Sequence, residues 1–266
     1  AEVNGIENLQ ILSGFEVRAR EPEVSSTAAI YSPETGVFDS HGYMMRLLAK
    51  LEAGDGLLAL RSPFAKADVL PSGFRVWTEG AESTSITTRR LVNAAGLWAP
   101  DLAQRIEGIR KDSIPQQRFA KGCYFSLSGR SPFSHLIYPV PVDGGLGVHA
   151  TLDLAGATRF GPDVAWLPSE TNPDAIDYNV PLDRIGDFEA AIRRYWPGLR
   201  GNLLQPDYSG VRPKLRGPGE GFFDFEIQSQ MDSGVPGLVN LYGFESPGLT
   251  ASLAVGDAVA TLLGDL

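Results

Sequence analysis

The stretch from Gly237 to Leu263, GLVNLYGFESPGLTASLAVGDAVATLL, constrains the fold of this chain more than any other segment. An apolar run, Gly237 to Tyr242, reads as a buried strand. It enters a turn built from Gly243, Ser246, Pro247 and Gly248. A helix from Leu249 to Leu263 follows, rich in small residues (Ala251, Ala254, Gly256, Ala258, Ala260) that suit close packing on a sheet. Such a helix start presents unpaired N–H groups and the positive end of its dipole to whatever lies in front of it. A second junction of the same kind sits upstream, where a strand from Arg89 to Ala94 meets Ala95-Gly96 and a helix from Trp98 to about Ile106. Without a side chain at the turn, a ligand or another backbone can come close. Plain strand–helix packing uses similar residues, so neither junction alone distinguishes a ligand site from a structural turn.

The remaining pattern is mixed. Behind an acidic, proline-punctuated opening (AREPEVSS), the turn Ser32 to Gly36 precedes a helix with Tyr43, Met44, Leu47, Leu48 and Leu51 on one face, capped by Asp39 or Ser40. Short strands are predicted at Leu57 to Arg61 and Gly73 to Thr78. Between Lys121 and about Thr158, GCYFSLSG, HLIYPVPV and GLGVHATLDL predict an antiparallel sheet. A helix from Asp183 to Trp196 stops at Pro197-Gly198. Strands around Tyr208 to Lys214 and Phe222 to Gln228 complete the pattern.

Composition removes several classes of function. Asp+Glu number 32 against 23 Lys+Arg, a net charge of −9, so the basic surface that neutralises phosphates is missing and nucleic acid is not an expected partner. No apolar run approaches the roughly 18 residues of a membrane span, and AEVNGIENLQ does not read as a signal peptide. Cys123 is the lone cysteine, and His41, His135 and His149 lie far apart, so neither a disulfide framework nor a metal site is expected.

Two residues stand out chemically. Arg212 follows Gly210-Val211 in a strand and precedes Pro213. A guanidinium in an apolar sheet keeps its charge and needs an anion, either a carboxylate ligand matched to its fork or one of the chain's own acids. His149 lies between Val148 and Ala150. If those two face one side of a strand, His149 faces the other, where it could be a general base or a satisfied structural residue.

Taken in order, SPETGVFDSHGYM, LVNAAGLWAPDLA, RFAKGCYFSL, IYPVPVDGGLGVHATLDLAGATRFGPD, GVRPKL and NLYGFESPGLTASLAVGD resemble the FAD-dependent oxidoreductases of the D-amino-acid-oxidase superfamily, most closely the L-2-hydroxyglutarate dehydrogenase/oxidase branch. The resemblance implies an α+β and α/β fold: a glutathione-reductase-like FAD-binding domain, here incomplete, interleaved with an antiparallel-sheet substrate domain. The substrate domain is expected at 1–32 and 113–229, the FAD-binding domain at 33–112 and 230–266. It implies FAD as cofactor and a small carboxylate as substrate, oxidised at C2 with hydride passing to the flavin. Arg212 maps onto the carboxylate-binding arginine, His149 onto the base and Tyr138 onto a substrate contact. Ala95, Gly96, His41, Lys121, Gly243, Gly248, Leu249 and Thr250 map near the cofactor.

Oxygen, a quinone or a carrier protein are all open as electron acceptor. An amine or amino-acid oxidase and a non-catalytic fragment or binding module are the rival readings. A cytoplasmic location, with or without peripheral attachment to a membrane, is expected. The superfamily opens with a βαβ unit carrying G-x-G-x-x-G and an acidic ribose ligand. Gly217, Gly219 and Gly221 in RGPGEG have a different spacing and context. The sequence thus corresponds to the interior of the family's fold, and on its own is expected to bind FAD weakly and to aggregate through an unpaired sheet edge.

Overall fold

The structure, a computed structural model, describes residue 3 and residues 5–80, 83–141, 147–221 and 223–264. The chain divides into two compact units, Ala1–Gly56 with Lys121–Ala165 and Asp177–Gly210, and Leu57–Ala120 with Trp166–Ile176 and Val211–Leu266. The functional domain boundaries expected from the sequence lie at 32/33, 112/113 and 229/230.

The first unit opens with an antiparallel hairpin, Gln10–Ser13 against Ala28–Tyr31, whose connection holds the helix Gly14–Arg20. Ser13 caps that helix and Glu16 reaches back to the Ser13 N–H at 2.8 Å, a reciprocal pair that satisfies two otherwise orphaned donors. The helix Ser40–Ala53 starts where Asp39 accepts from the Gly42 N–H at 2.9 Å, as the sequence indicated.

This unit also carries most of a five-stranded sheet, ordered Ala165–Trp166, Arg118–Leu127, Thr158–Gly161, His149–Leu152, with Leu204–Lys214 also pairing with Arg118–Leu127. One face is covered by the amphipathic helix Ile185–Arg193, which buries Phe188 and Ile192. Phe125, Phe133, Val148, Ala150, Phe160, Tyr195 and Trp196 fill the core between them.

In the second unit, strands Leu91–Asn93 and Leu238–Tyr242 run parallel in the register Leu238↔Leu91, Val239↔Val92 and Asn240↔Asn93, and Glu226–Gln228 pairs antiparallel with the latter. A three-stranded meander, Phe64–Leu70, Gly73–Thr78 and Ser85–Thr88, stands beside them, and the core gathers Phe74, Ala99, Ala103, Ile106, Leu238 and Tyr242.

A buried amide ladder crosses the parallel pair. Asn93 Nδ2 donates to the Ala99 carbonyl at 2.8 Å and to Asn240 Oδ1 at 3.0 Å, Asn240 Nδ2 donates to Gln228 Oε1 at 3.0 Å, and Gln228 Nε2 donates to the Ser113 carbonyl at 2.7 Å. Asn240→Leu keeps the branched heavy-atom outline, with bulkier methyl ends, but strands the Gln228 acceptor and one Asn93 donor. The expected cost is about 1–3 kcal/mol in the urea unfolding free energy, because a buried polar group without a partner bears its full desolvation penalty. An unchanged midpoint and slope would show that the ladder contributes nothing.

Several elements differ from the sequence pattern. Leu57 to Arg61 is turn and coil, with Leu57 87% and Leu60 74% exposed, and the strand lies at Phe64–Leu70 instead. There a two-residue turn, Pro71-Ser72, closes a hairpin onto Gly73–Thr78, and that pairing outweighs the local apolar run. HLIYPVPV supplies one isolated bridge, Ile137↔Ala150, because Pro139 and Pro141 have no N–H to donate to a ladder.

Residues 142–146 of that region and Phe222 of the expected strand lie outside the described residues; the strand itself covers Glu226–Gln228. The helix expected from Trp98 is a short 3-10 turn, Gly96–Trp98, running into Ala99–Gln104. The closing helix spans Ser252–Gly264 and buries Leu263 alone of its side chains, rather than presenting a packed small-residue face.

Candidate active site

The strand His149–Leu152 alternates its side chains across the sheet. Val148 and Ala150 face the core shared with Phe160 and Trp196, and this sends His149 to the opposite face. It is nevertheless buried, 9% exposed. The Ile137↔Ala150 bridge, with both backbone hydrogen bonds at 2.9 Å, puts Tyr138 across from His149, and the two rings stand 4.1 Å apart at 46°. Tyr138, 56% exposed, also borders a cleft of about 1160 Å³ on the Val148 and Leu152 face, so it stands at the edge between the two faces. His149 and Tyr138 are thus brought together in the first unit.

The other residues assigned to this unit are not joined to them. The Lys121 ammonium, buried, donates to the Asp177 and Asn179 carbonyls at 2.6 and 2.7 Å, a role in fixing a loop. His41 is an exposed residue in the first turn of Ser40–Ala53. Burial pushes the Cys123 thiol up, and the Asp163 carboxylate adds to this, so it is no nucleophile at neutral pH.

In the second unit the two turns seen in the sequence leave the carboxyl ends of neighbouring parallel strands, Ala95-Gly96 after Leu91–Asn93 and Gly243 after Leu238–Tyr242. That is where open α/β sheets hold their ligands. Asn93 Oδ1 accepts from the Ala95 N–H at 3.3 Å, so the amide ladder beneath also shapes the first turn. Gly96 has φ +58°, a left-handed conformation that favours glycine, and a Cβ there would meet open space. Gly243, at φ +69°, admits no Cβ, which would lie 2.7 Å from Leu215 Cγ.

Beyond it, the Gly248 N–H donates to the Glu245 carbonyl and the Thr250 hydroxyl to the Pro247 carbonyl at 2.9 Å, while Ala251 begins the helical pattern by donating to Pro247 at 3.0 Å. The N–H groups of Leu249 and Thr250 meet no backbone acceptor among the described residues. Tyr242 is fully buried with an unpartnered hydroxyl, and burial, with the Glu226 carboxylate, pushes its pKa up, so it stays neutral.

Arg212 belongs to this unit and is tied to the closing turn. Glu245 lies between two cations: its Oε1 is 2.5 Å from Lys214 Nζ and its Oε2 is 3.7 Å from Arg212 Nε. The arginine therefore does find one of the chain's own acids. Lys214, Glu245 and the amides Asn93, Asn240 and Gln228 were not among the residues singled out from the sequence. Glu245 sits inside a motif that was read for its glycines, and nothing local marks it.

The residues present fit a flavin. A positive-φ glycine under open space, donors at a helix start, and the buried, unpartnered Gln117 Oε1, whose amide donates to the Leu97 carbonyl at 2.9 Å beside the first turn, offer complementary groups to a planar polar ring.

Parallel strands with small-residue turns at their carboxyl ends form the kind of edge at which open α/β sheets bind nucleotide cofactors, and separately the other unit carries a buried histidine on an antiparallel sheet. The chain belongs to the DAO family of FAD-dependent oxidoreductases, whose family model matches residues 1–262. It is 38% identical to mitochondrial L-2-hydroxyglutarate dehydrogenase of Arabidopsis thaliana, over 97% of this chain and 60% of that protein. It is 24% identical to glycerol 3-phosphate dehydrogenase of Caloramator mitchellensis, over 99% of this chain and 52% of that one. Among solved structures, L-alpha-glycerophosphate oxidase of Mycoplasma pneumoniae with FAD bound superposes with a TM-score of 0.80 at 22% identity, covering 97% of this chain and 65% of that one. The chain spans between about half and two thirds of the length of these relatives. No helix among the described residues is long and apolar enough to cross a membrane.

Proposed function

We propose that the protein oxidises a small L-2-hydroxy acid of the 2-hydroxyglutarate type. The observation that carries this reading is the buried His149 set against Tyr138, in a chain 38% identical to an L-2-hydroxyglutarate dehydrogenase. An alcohol gives up its hydroxyl proton to a base as the C2 hydride leaves, whereas an amine can react as its free base without a histidine. Bound FAD supplies the two-electron acceptor for that hydride. His149 takes the hydroxyl proton, and its burial keeps bulk water from competing for it. Tyr138 contacts the substrate beside it. Arg212 orients the substrate carboxylate, so that part of the barrier is met by positioning.

Ala95, Gly96, Gly243, Gly248, Leu249 and Thr250 hold the flavin, with His41 and Lys121 near its ring, the lysine through the loop it anchors. In this reading residues 1–32 and 113–229, with His149 and Arg212, form the substrate domain, and residues 33–112 and 230–266 form the flavin domain. The protein is taken to work in the cytoplasm.

The test is anaerobic bleaching of the flavin absorption in the full-length FAD-loaded protein. L-2-hydroxyglutarate should bleach it, and its D enantiomer, glutamate and glycerol 3-phosphate should not. Bleaching by an amino acid or by glycerol 3-phosphate alone would overturn the reading. In the same protein, Arg212→Lys should raise the substrate KM and leave flavin content unchanged, because an ammonium cannot reproduce a bidentate carboxylate contact. The loss is expected at about 1.5–3 kcal/mol, the worth of a hydrogen bond to a charged group. An unchanged KM would remove Arg212 from the substrate.

A further inference from the structure

We propose that Glu245 is a positioning residue for Arg212, and that Lys214 holds Glu245 so that Arg212 keeps its positive charge for the substrate. This rests on the reading of Arg212 as the carboxylate-binding group. Three charged side chains meet here, with side-chain exposures of 23% for Arg212, 31% for Lys214 and 15% for Glu245, so all are partly shielded from water. The ion pair approaches Arg212 at Nε. At 3.7 Å this is an ion pair rather than a hydrogen bond, so the Glu245 carboxylate biases the guanidinium by charge from its Nε edge and leaves the Nη1–Nη2 end for a second, bidentate carboxylate.

An arginine paired with one acid in isolation would be neutralised by it and would attract an anionic substrate weakly. Here the closer contact, 2.5 Å, is to Lys214, and the longer one, 3.7 Å, is to Arg212. The two cations and one anion leave the cluster with a charge of +1 to offer. Because Lys214 follows Arg212 by two residues on one strand, both side chains project to the same face and reach the same acid. Glu245 itself is fixed by the closing turn, where its carbonyl accepts the Gly248 N–H.

The sign of one measurement separates positioning from a bystander's charge. Glutarate, which has the carboxylates of the substrate but no oxidisable hydroxyl, is titrated into the FAD-loaded full-length protein and followed by the flavin absorption change. By charge alone, Glu245→Gln removes a repelling carboxylate and should tighten glutarate. By positioning, it releases the guanidinium from that bias and should weaken glutarate about 10-fold, a coupling typical of groups in contact. Lys214→Met should also weaken it, because Glu245 then turns wholly onto Arg212.

In an Arg212→Lys background the Glu245→Gln substitution should have no further effect on glutarate. Thermal midpoints and flavin content, measured on the same samples, show that each variant is folded. Tighter or unchanged glutarate binding in folded Glu245→Gln overturns the proposal, as does full additivity with Arg212→Lys. If Arg212→Lys itself leaves glutarate binding unchanged, the reading of Arg212 fails, and the proposal falls with it for that separate reason.

Discussion

Replacing His149 by Gln is expected to slow flavin reduction by L-2-hydroxyglutarate about 10²–10⁴-fold, the usual contribution of a positioned general base. Glutamine keeps a polar side chain of similar reach beside Tyr138 and cannot accept the proton at neutral pH. His149 is 9% exposed and its strand neighbours Val148 and Ala150 belong to the core, so bulk water has poor access to stand in for the lost base. Stopped-flow mixing of the FAD-loaded protein with substrate under anaerobic conditions reads the rate directly. A rate within a few fold of the parent would return His149 to a structural role.

The largest loss of stability is expected at Phe160. Its ring is fully buried in the first unit, stacked on Trp196 at 6.2 Å and edge-on to Phe133 at 6.5 Å, and its strand position faces Phe125 across the ladder. Phe160→Ala empties a ring-sized volume inside a cluster whose other members are held on several strands and on the helices Gly14–Arg20 and Ile185–Arg193. Collapse to fill it would break strand register. The cost is expected at about 3–5 kcal/mol in the unfolding free energy, as for large-to-small changes at well-packed aromatic positions. Phe15, 84% exposed on the helix Gly14–Arg20, is the internal comparison: Phe15→Ala should move the same midpoint by about 0.5 kcal/mol or less. Equal effects at the two positions would contradict the assignment of the core.

Local sequence signals account for the helices Ser40–Ala53 and Ile185–Arg193 and for the strands Gly73–Thr78 and Leu238–Tyr242. Asp39 as a cap, a 3.6-residue apolar period and short β-branched runs act over a few residues, and nothing distant opposes them. The two strand–turn–helix junctions were legible for the same reason. The hairpin Gln10–Ser13 with Ala28–Tyr31 was not, because Ile11 and Ile30 point outward at 85% and 70% exposure and the usual inward alternation is missing.

By itself, then, the amino-acid sequence determined that strands end in small-residue turns, that an arginine sits in a strand needing an anion, and that a histidine alternates against apolar neighbours. Only the tertiary structure decided which groups meet. Asn93 and Asn240 are 147 residues apart and bond because two parallel strands share a register. Glu245 reaches Lys214 and Arg212 because a turn after one strand lies beside another. Tyr138 lies against His149 because a single bridge pairs Ile137 with Ala150 where prolines forbid a longer ladder. Pairings of this kind carry no period and no spacing rule. They are set by which surfaces must be buried together, and that is a property of the packed molecule rather than of any window of its sequence.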